Sequence, residues 1–316
     1  MKEIDAKIKG LPGIPKNIAK KLIDLGYVDV KTIAFSNPEQ LSEESAISIT
    51  TVQDIIKKAR KKLGSPFEAA DTIYNKRVKI SRISTGSYNL DSLLGGGVET
   101  QSITEVYGAF RSGKTQLAFQ LAVNIQRPED EGGLDAGAIY IDCEGSFRPE
   151  RIVEMASALA LHPMEILKNI LVARAYNSEH QIFITKQIPK ILNNRNVRLI
   201  IVDSVIGHFR AEYLGSQALI KRQGKLNKYL HLLQNLASSY DLAVFITNQI
   251  QADPSISYGD SSQPTGGNIL AHAAHTRIYL RRVRGTERSA RLIDSPYLPE
   301  GEIVFEIRSD GIRDIT

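Results

Sequence analysis

A strand candidate over residues 102–107 leads without interruption into Gly108-Ala109-Phe110-Arg111-Ser112-Gly113-Lys114-Thr115, and a helical pattern follows over 115–125. Glycines at both ends of this turn permit backbone dihedrals and close approaches that side chains would block. Successive N–H groups and the helix start can then surround phosphate oxygens. Strand, glycine-rich loop and helix together are the setting of a P-loop, in which Lys114 reaches the β- and γ-phosphates of ATP and Thr115 ligates Mg²⁺. Such a unit needs parallel strands on either side and helices over both faces, so it predicts an α/β fold.

The rest of the chain agrees. After Ser81, short apolar strands at 138–141, 170–173, 199–202, 242–247 and 277–280 alternate with helical patterns at 149–161, 179–192 and 219–238. Beyond Arg277 the helical patterns stop, and 290–293 with 303–307 predict antiparallel strands added to the sheet. The helix over 179–192 is expected to be capped by Ser178 with Gln181 and kinked at Pro189. Residues 1–62 read instead as short helices stopped by Gly26 and Gly64, followed by a polar, basic linker over 63–79 and a core over 80–316.

Charge divides along the same lines. The 316-residue chain carries +5 overall, with 12 Lys and Arg against 8 Asp and Glu in residues 1–62 and 28 against 27 in the remainder. A surplus of that size permits nucleic-acid binding without demanding it. No apolar stretch is long enough to span a membrane, which predicts a cytoplasmic protein. One cysteine, Cys143, excludes an intramolecular disulfide and a multi-cysteine zinc site, so any metal is expected to be oxygen-bound.

Two further strands end in carboxylates. Leu199-Ile200-Ile201-Val202-Asp203 delivers Asp203 to the sheet edge where ligands bind, as a second Mg²⁺ anchor, direct or through water. Ala138-Ile139-Tyr140-Ile141-Asp142 runs into Cys143-Glu144-Gly145, and Glu144 just past the strand end is the expected general base, with Asp142 the competitor one strand position earlier. Thr247-Asn248-Gln249 ends another strand, where the neutral amide of Gln249 can detect a γ-phosphate without adding charge.

These motifs, in this order, resemble the recombinase branch of the RecA superfamily, specifically archaeal RadA-type recombinases. The resemblance covers essentially the whole chain. It is carried by Ile83-Ser84-Thr85-Gly86, Leu93-Leu94-Gly95-Gly96-Gly97-Val98-Glu99-Thr100, the P-loop with Gln116, Phe147-Arg148-Pro149-Glu150-Arg151, Gly266-Gly267-Asn268-Ile269-Leu270-Ala271-His272 and Asp294-Ser295-Pro296-Tyr297-Leu298-Pro299-Glu300.

The resemblance implies a RecA-type P-loop core and an N-terminal domain similar to a helix–hairpin–helix. It implies an ATPase that polymerises, as filament or ring, on single-stranded DNA, engages double-stranded DNA, and exchanges strands, with accessory recombination proteins and a nucleoid-associated location. Glu144 would activate water and Gln249 relay the nucleotide state to DNA-binding loops. Arg151 would pack on adenine, while Pro299, Asp294 and Glu300 would close over the nucleotide from the next protomer, the acids holding cations such as K⁺. Phe67 and Ala70 match the family's Phe-x-x-Ala polymerisation motif.

The same resemblance, joined to local composition, points to the DNA surfaces. Residues 209–228 carry Arg210, Lys221, Arg222, Lys225 and Lys228 against Glu212, and DNA contact is expected at Arg210, Lys221 and Arg222. Ser216 stands where the family usually has arginine, so one cationic contact is missing. The second loop, 250–266, has no Lys or Arg, leaving backbone amides and Tyr258 for DNA. Leu11-Pro12-Gly13-Ile14-Pro15-Lys16 precedes a helix as in hairpins that bind duplex through backbone N–H groups. Arg277, Arg281, Arg282, Arg284, Arg288 and Arg291 form a basic cluster suited to auxiliary DNA contact or to solvent. Three other readings use the same residues: an ATP-binding regulatory paralogue without strand exchange, a hexameric helicase motor, and a non-catalytic DNA scaffold.

Overall fold

The computed structural model describes residues 8, 10–65, 67–252 and 262–315. They divide into two compact units, one of residues up to Lys79 with Thr185–Arg195, the other of Ile80–Ile184 with Asn196–Thr316.

The first unit contains α1 (Lys16–Asp24), α2 (Val30–Ala34), α3 (Pro38–Ser45), α4 (Ile49–Leu63) and α5 (Ala70–Val78). Polar side-chain caps start α2, α3 and α4. Asp29 Oδ1 accepts from the Thr32 N–H at 2.9 Å, and Asn37 Oδ1 from the Gln40 N–H at 3.0 Å, with Pro38 at a first-turn position that needs no donor. Leu22, Ile33, Leu41, Val52 and Ile56 build its core. Helix α5 occupies the stretch expected to be a plain linker, and none of its residues is buried.

The second unit begins with β1 (Arg82–Ile83), α6 (Tyr88–Leu93), β2 (Val98–Glu99), β3 (Ser102–Gly108), α7 (Lys114–Asn124), β4 (Gly137–Asp142), α8 (Pro149–Ala158), α9 (Pro163–Lys168) and β5 (Ile170–Arg174). It continues with α10 (Ser178–Leu192, whose end belongs to the first unit), β6 (Val197–Asp203), α11 (Gly207–Glu212), α12 (Ser216–Tyr240), β7 (Ala243–Ala252), β8 (Ser262–Pro264) and α13 (Asn268–Ala273). Strands β9 (Thr276–Arg282), β10 (Glu287–Asp294), β11 (Gly301–Arg308) and β12 (Gly311–Asp314) complete it.

The main sheet runs β12-β11-β10-β9-β3-β7-β6-β4-β5, with β8 paired to β7. Strands β9, β3, β7, β6, β4 and β5 are parallel, whereas β10, β11 and β12 add antiparallel, as expected. Both faces are covered, so β3 and β4 are buried along their whole length; β4 is apolar up to its closing Asp142, whereas β3 also buries Ser102, Thr104 and Glu105. Register brings the motifs to one edge. Gly108 lies opposite Gln249 across β3 and β7, and Asp142 lies opposite Asp203 across β4 and β6.

Three local expectations are corrected. The stretch expected as a loop over 250–266 is strand at both ends, because Ile250–Ala252 continue β7 and pair antiparallel with Ser262–Pro264 of β8. The helix expected over 149–161 ends at Ala158, with Ala160 turned to a φ of +55°, and a separate helix starts at Pro163, whose fixed φ suits a first helical position. Helix α10 is capped by Asn177, whose Oδ1 accepts from the His180 N–H at 2.7 Å, while Ser178 donates its N–H and hydroxyl to Glu212.

Candidate functional site

The C-terminal ends of β3, β7, β6 and β4 enclose a cavity of about 680 Å³. That volume suits a nucleotide-sized ligand. Its lining includes Gly108, Ala109, Phe110, Arg111, Gly113, Lys114, Thr115, Glu144, Asp203 and Gln249. Gly108 is required by close approach, since a Cβ there would lie 2.1 Å from the Leu280 carbonyl oxygen. Ser112 is buried, while Phe110 is 88% exposed with the Arg111 guanidinium over its ring.

Lys114 Nζ donates to the Gly108 and Ala109 carbonyls, each at 2.9 Å, so the ammonium is held on the loop and aimed along it. Burial lowers its pKa, against the opposing pull of Asp203 and Glu144. Asp203, only 2% exposed, is ringed by hydroxyls. Thr115 Oγ1 donates to its Oδ2 at 2.8 Å, Tyr140 to the same oxygen at 2.7 Å and Ser146 at 3.3 Å, while Thr247 donates to Oδ1. Thr115 and Asp203 thus present hard oxygen donors side by side, the donor type that Mg²⁺ requires. Among the described residues no group of three or more His, Cys, Asp or Glu could hold a metal ion.

The two carboxylates after β4 separate clearly. Asp142 Oδ1 accepts the N–H groups of Glu144, Gly145 and Ser146 at 2.7–3.1 Å, and Oδ2 that of Phe147 at 3.3 Å. The Arg174 guanidinium pairs with it at 3.2 Å. Asp142 therefore shapes the loop. Gly145 turns it at a φ of +72°, where a Cβ would strike the Arg174 guanidinium at 2.5 Å. Phe147 packs in turn on Phe119 and Tyr140. The loop so held presents Glu144 to the cavity, where its Oε1 accepts from Gln249 Nε2 at 2.9 Å and from Ser204 Oγ at 2.7 Å.

Other expected residues lie elsewhere. Arg151 is outside the cavity lining, its guanidinium donating to Gln116 and to the Arg308 and Ser309 carbonyls. Asp294, Pro299 and Glu300 sit exposed on and after β10, also outside the lining, and Glu300 pairs with Arg291 at 3.2 Å. Arg210 and Lys221 are exposed and Arg222 half-buried, with no acidic partner among the described residues. Lys225 is committed to Glu179 and lies over the Tyr213 ring. Phe67 is 87% exposed, and Ala70 opens α5, exposed as well. Tyr258 falls outside the described residues.

The arginine cluster is broken up. Arg277 is buried, its Nε donating to Glu105 at 2.7 Å, and Arg281 pairs with Glu302, whereas Arg282 and Arg288 line the cavity. Burial and neighbouring Arg282 both lower the Arg288 pKa. Sequence reasoning missed Ser204, Tyr140, Ser146 and Thr247. Their shared signal is a hydroxyl on, or just beyond, a strand that carries a recognised acid or amide.

The model of the Rad51 family matches residues 76–315. The chain is 48% identical over 307 residues to the DNA repair and recombination protein RadA of Aeropyrum pernix, covering 97% of this chain and 96% of that protein. It is likewise 48% identical over 308 residues to the DNA repair and recombination protein RadA of Metallosphaera sedula, covering 97% and 95%. No helix among the described residues is long and apolar enough to cross a membrane. With a P-loop, an acid-ended strand and a glutamate–glutamine pair on one sheet edge, and a family match over most of its length, the chain belongs to the Rad51 family.

Proposed function

We infer that the chain is a DNA-dependent ATPase that assembles on single-stranded DNA and catalyses homologous pairing and strand exchange in recombinational repair. The observation that carries this reading is the hydrogen bond from Gln249 to Glu144. It joins the phosphate cavity to the strand that leads directly into the 250–266 loop, so one side chain reports on the nucleotide and belongs to the DNA loop's root. The presence of Lys114, Thr115, Glu144, Asp203 and Gln249 in one cavity speaks against an ATP-binding regulatory paralogue without strand exchange and against a non-catalytic scaffold.

The chemistry follows from the residues. Backbone N–H groups of residues 109–115 and the α7 start bind the phosphates of ATP, and Lys114 swings from its carbonyls to the β,γ-oxygens. Thr115 and Asp203 would hold Mg²⁺, which when bound neutralises charge on the phosphates. Glu144 takes the proton of the attacking water. Arg151 and the Pro299 of a second copy would support the base, and Asp294 and Glu300 of that copy would hold a further cation such as K⁺, whose charge would offset that of the phosphates. Exposed Arg210, Lys221 and Arg222 take DNA phosphates, and Phe67 with Ala70 joins successive copies. Residues 1–62 bind duplex through the turn before α1.

A D-loop assay on wild type, Lys114→Ala and Glu144→Gln tests the reading. Wild type should pair homologous DNA, Lys114→Ala should lose nucleotide binding and pairing, and Glu144→Gln should lose hydrolysis while still assembling on DNA. A wild type that hydrolyses ATP and unwinds duplex without any homology requirement overturns it in favour of a helicase motor.

A further inference from the structure

Glu144 has two donors, and only Gln249 among them was legible in the sequence. The second is Ser204, 1% exposed, which directly follows Asp203 at the end of β6 and donates its hydroxyl to Glu144 Oε1 at 2.7 Å. A carboxylate of this kind only accepts, so the direction of that bond is set. Both donors converge on Oε1, and no described residue donates to Oε2. Room beside the pair exists because residue 207 is glycine, whose Cβ would stand 3.1 Å from Ser204 Oγ and 4.0 Å from Glu144 Oε1.

We propose that Ser204 is a positioning residue for water activation, its hydroxyl and the Gln249 amide together anchoring Oε1 so that Oε2 faces the attacking water. This rests on the reading of Glu144 as general base. In the step served, the water oxygen bonds to the γ-phosphorus and the bond from that phosphorus to the β,γ-bridging oxygen breaks, its electron pair leaving with ADP. The water's proton goes to Oε2. Two anchors on one oxygen restrict rotation of a glutamate side chain that is otherwise exposed to the cavity, and orientation of a base is worth rate rather than affinity.

The anchors differ in origin. Gln249 belongs to the strand feeding the 250–266 loop, whereas Ser204 lies at the root of the segment leading to α11 and Arg210. Each of the two candidate DNA loops therefore contributes one hydrogen bond to the same oxygen.

The test measures single-stranded-DNA-stimulated ATP hydrolysis by the full chain carrying Ser204→Ala, Ser204→Thr, Glu144→Gln, and the Ser204→Ala/Glu144→Gln pair. Ser204→Ala should lower kcat about 10-fold with KM for ATP unchanged, Ser204→Thr should recover most of the loss, and the pair should hydrolyse no more slowly than Glu144→Gln alone. An unchanged kcat in Ser204→Ala beside an inactive Glu144→Gln overturns this inference and leaves the general-base reading standing. A loss that threonine does not restore and that adds to Glu144→Gln also overturns it, because Ser204 would then act on the fold. Wild-type hydrolysis by Glu144→Gln removes the base itself, and both readings with it.

Discussion

Ala46 closes α3 with a φ of +49°, in the left-handed region. A residue with a Cβ pays roughly 1–2 kcal/mol for that conformation, and glycine is the usual occupant of such helix ends. Ala46→Gly should therefore raise stability by about 1 kcal/mol, read as a higher midpoint in urea unfolding; an unchanged or lower midpoint would contradict the strain argument. Single residues of the candidate site were legible where a motif specifies them. Lys114, Thr115 and Asp203 meet in one cavity because a P-loop and an apolar strand ending in acid each carry their own geometry. The choice between Asp142 and Glu144 was less legible. Two acids separated by one residue differ in sequence by position alone, and only the folded loop shows that four backbone N–H groups surround the Asp142 carboxylate.

Strand β9 shows how an element reassigns its side chains. The strand period puts Arg277 and Arg282 on opposite faces, but a period cannot say which neighbour strand waits on either side. Strand β3 brings Glu105, which has no exposure, and β7 brings Asn248, whose Nδ2 donates to Glu105 at 2.8 Å and to the Thr265 carbonyl at 2.8 Å. Arg277 completes a buried group that ties the P-loop strand, the Gln249 strand and the far end of the 250–266 loop together. Removing one partner of a buried ion pair leaves an uncompensated charge, so Arg277→Leu should cost about 3–5 kcal/mol in chemical denaturation. A loss under about 1 kcal/mol would show that Glu105 stays adequately solvated by its remaining partners. Helix α5 makes the complementary point. Its composition resembles a linker because nothing in its own unit covers it, and burial, not helicity, is what polar sequence reports.

At the level of the whole molecule, Phe67 is an exposed aromatic beside a helix that exposes Ile73, Tyr74 and Val78. Such side chains bear on the proposed role of Phe67 in self-association only if a second copy covers them. Phe67→Glu should abolish self-association, so that sedimentation velocity with ATP and single-stranded DNA finds only the small species; assembly as in wild type would remove the polymerisation role. The fold class, the parallel core, the antiparallel addition and the P-loop at the end of β3 were all readable from hydrophobic period and motif, since each depends on residues adjacent in the chain. The partners of those residues were not. Which oxygen of Glu144 is anchored, why Arg277 leaves the basic surface, and how Asp203 comes to be ringed by Tyr140, Thr115, Ser146 and Thr247 depend on strand order and register. Those bring together side chains up to 172 positions apart. Local pattern determines which elements form, whereas contacts between distant elements exist only once the sheet has closed around them.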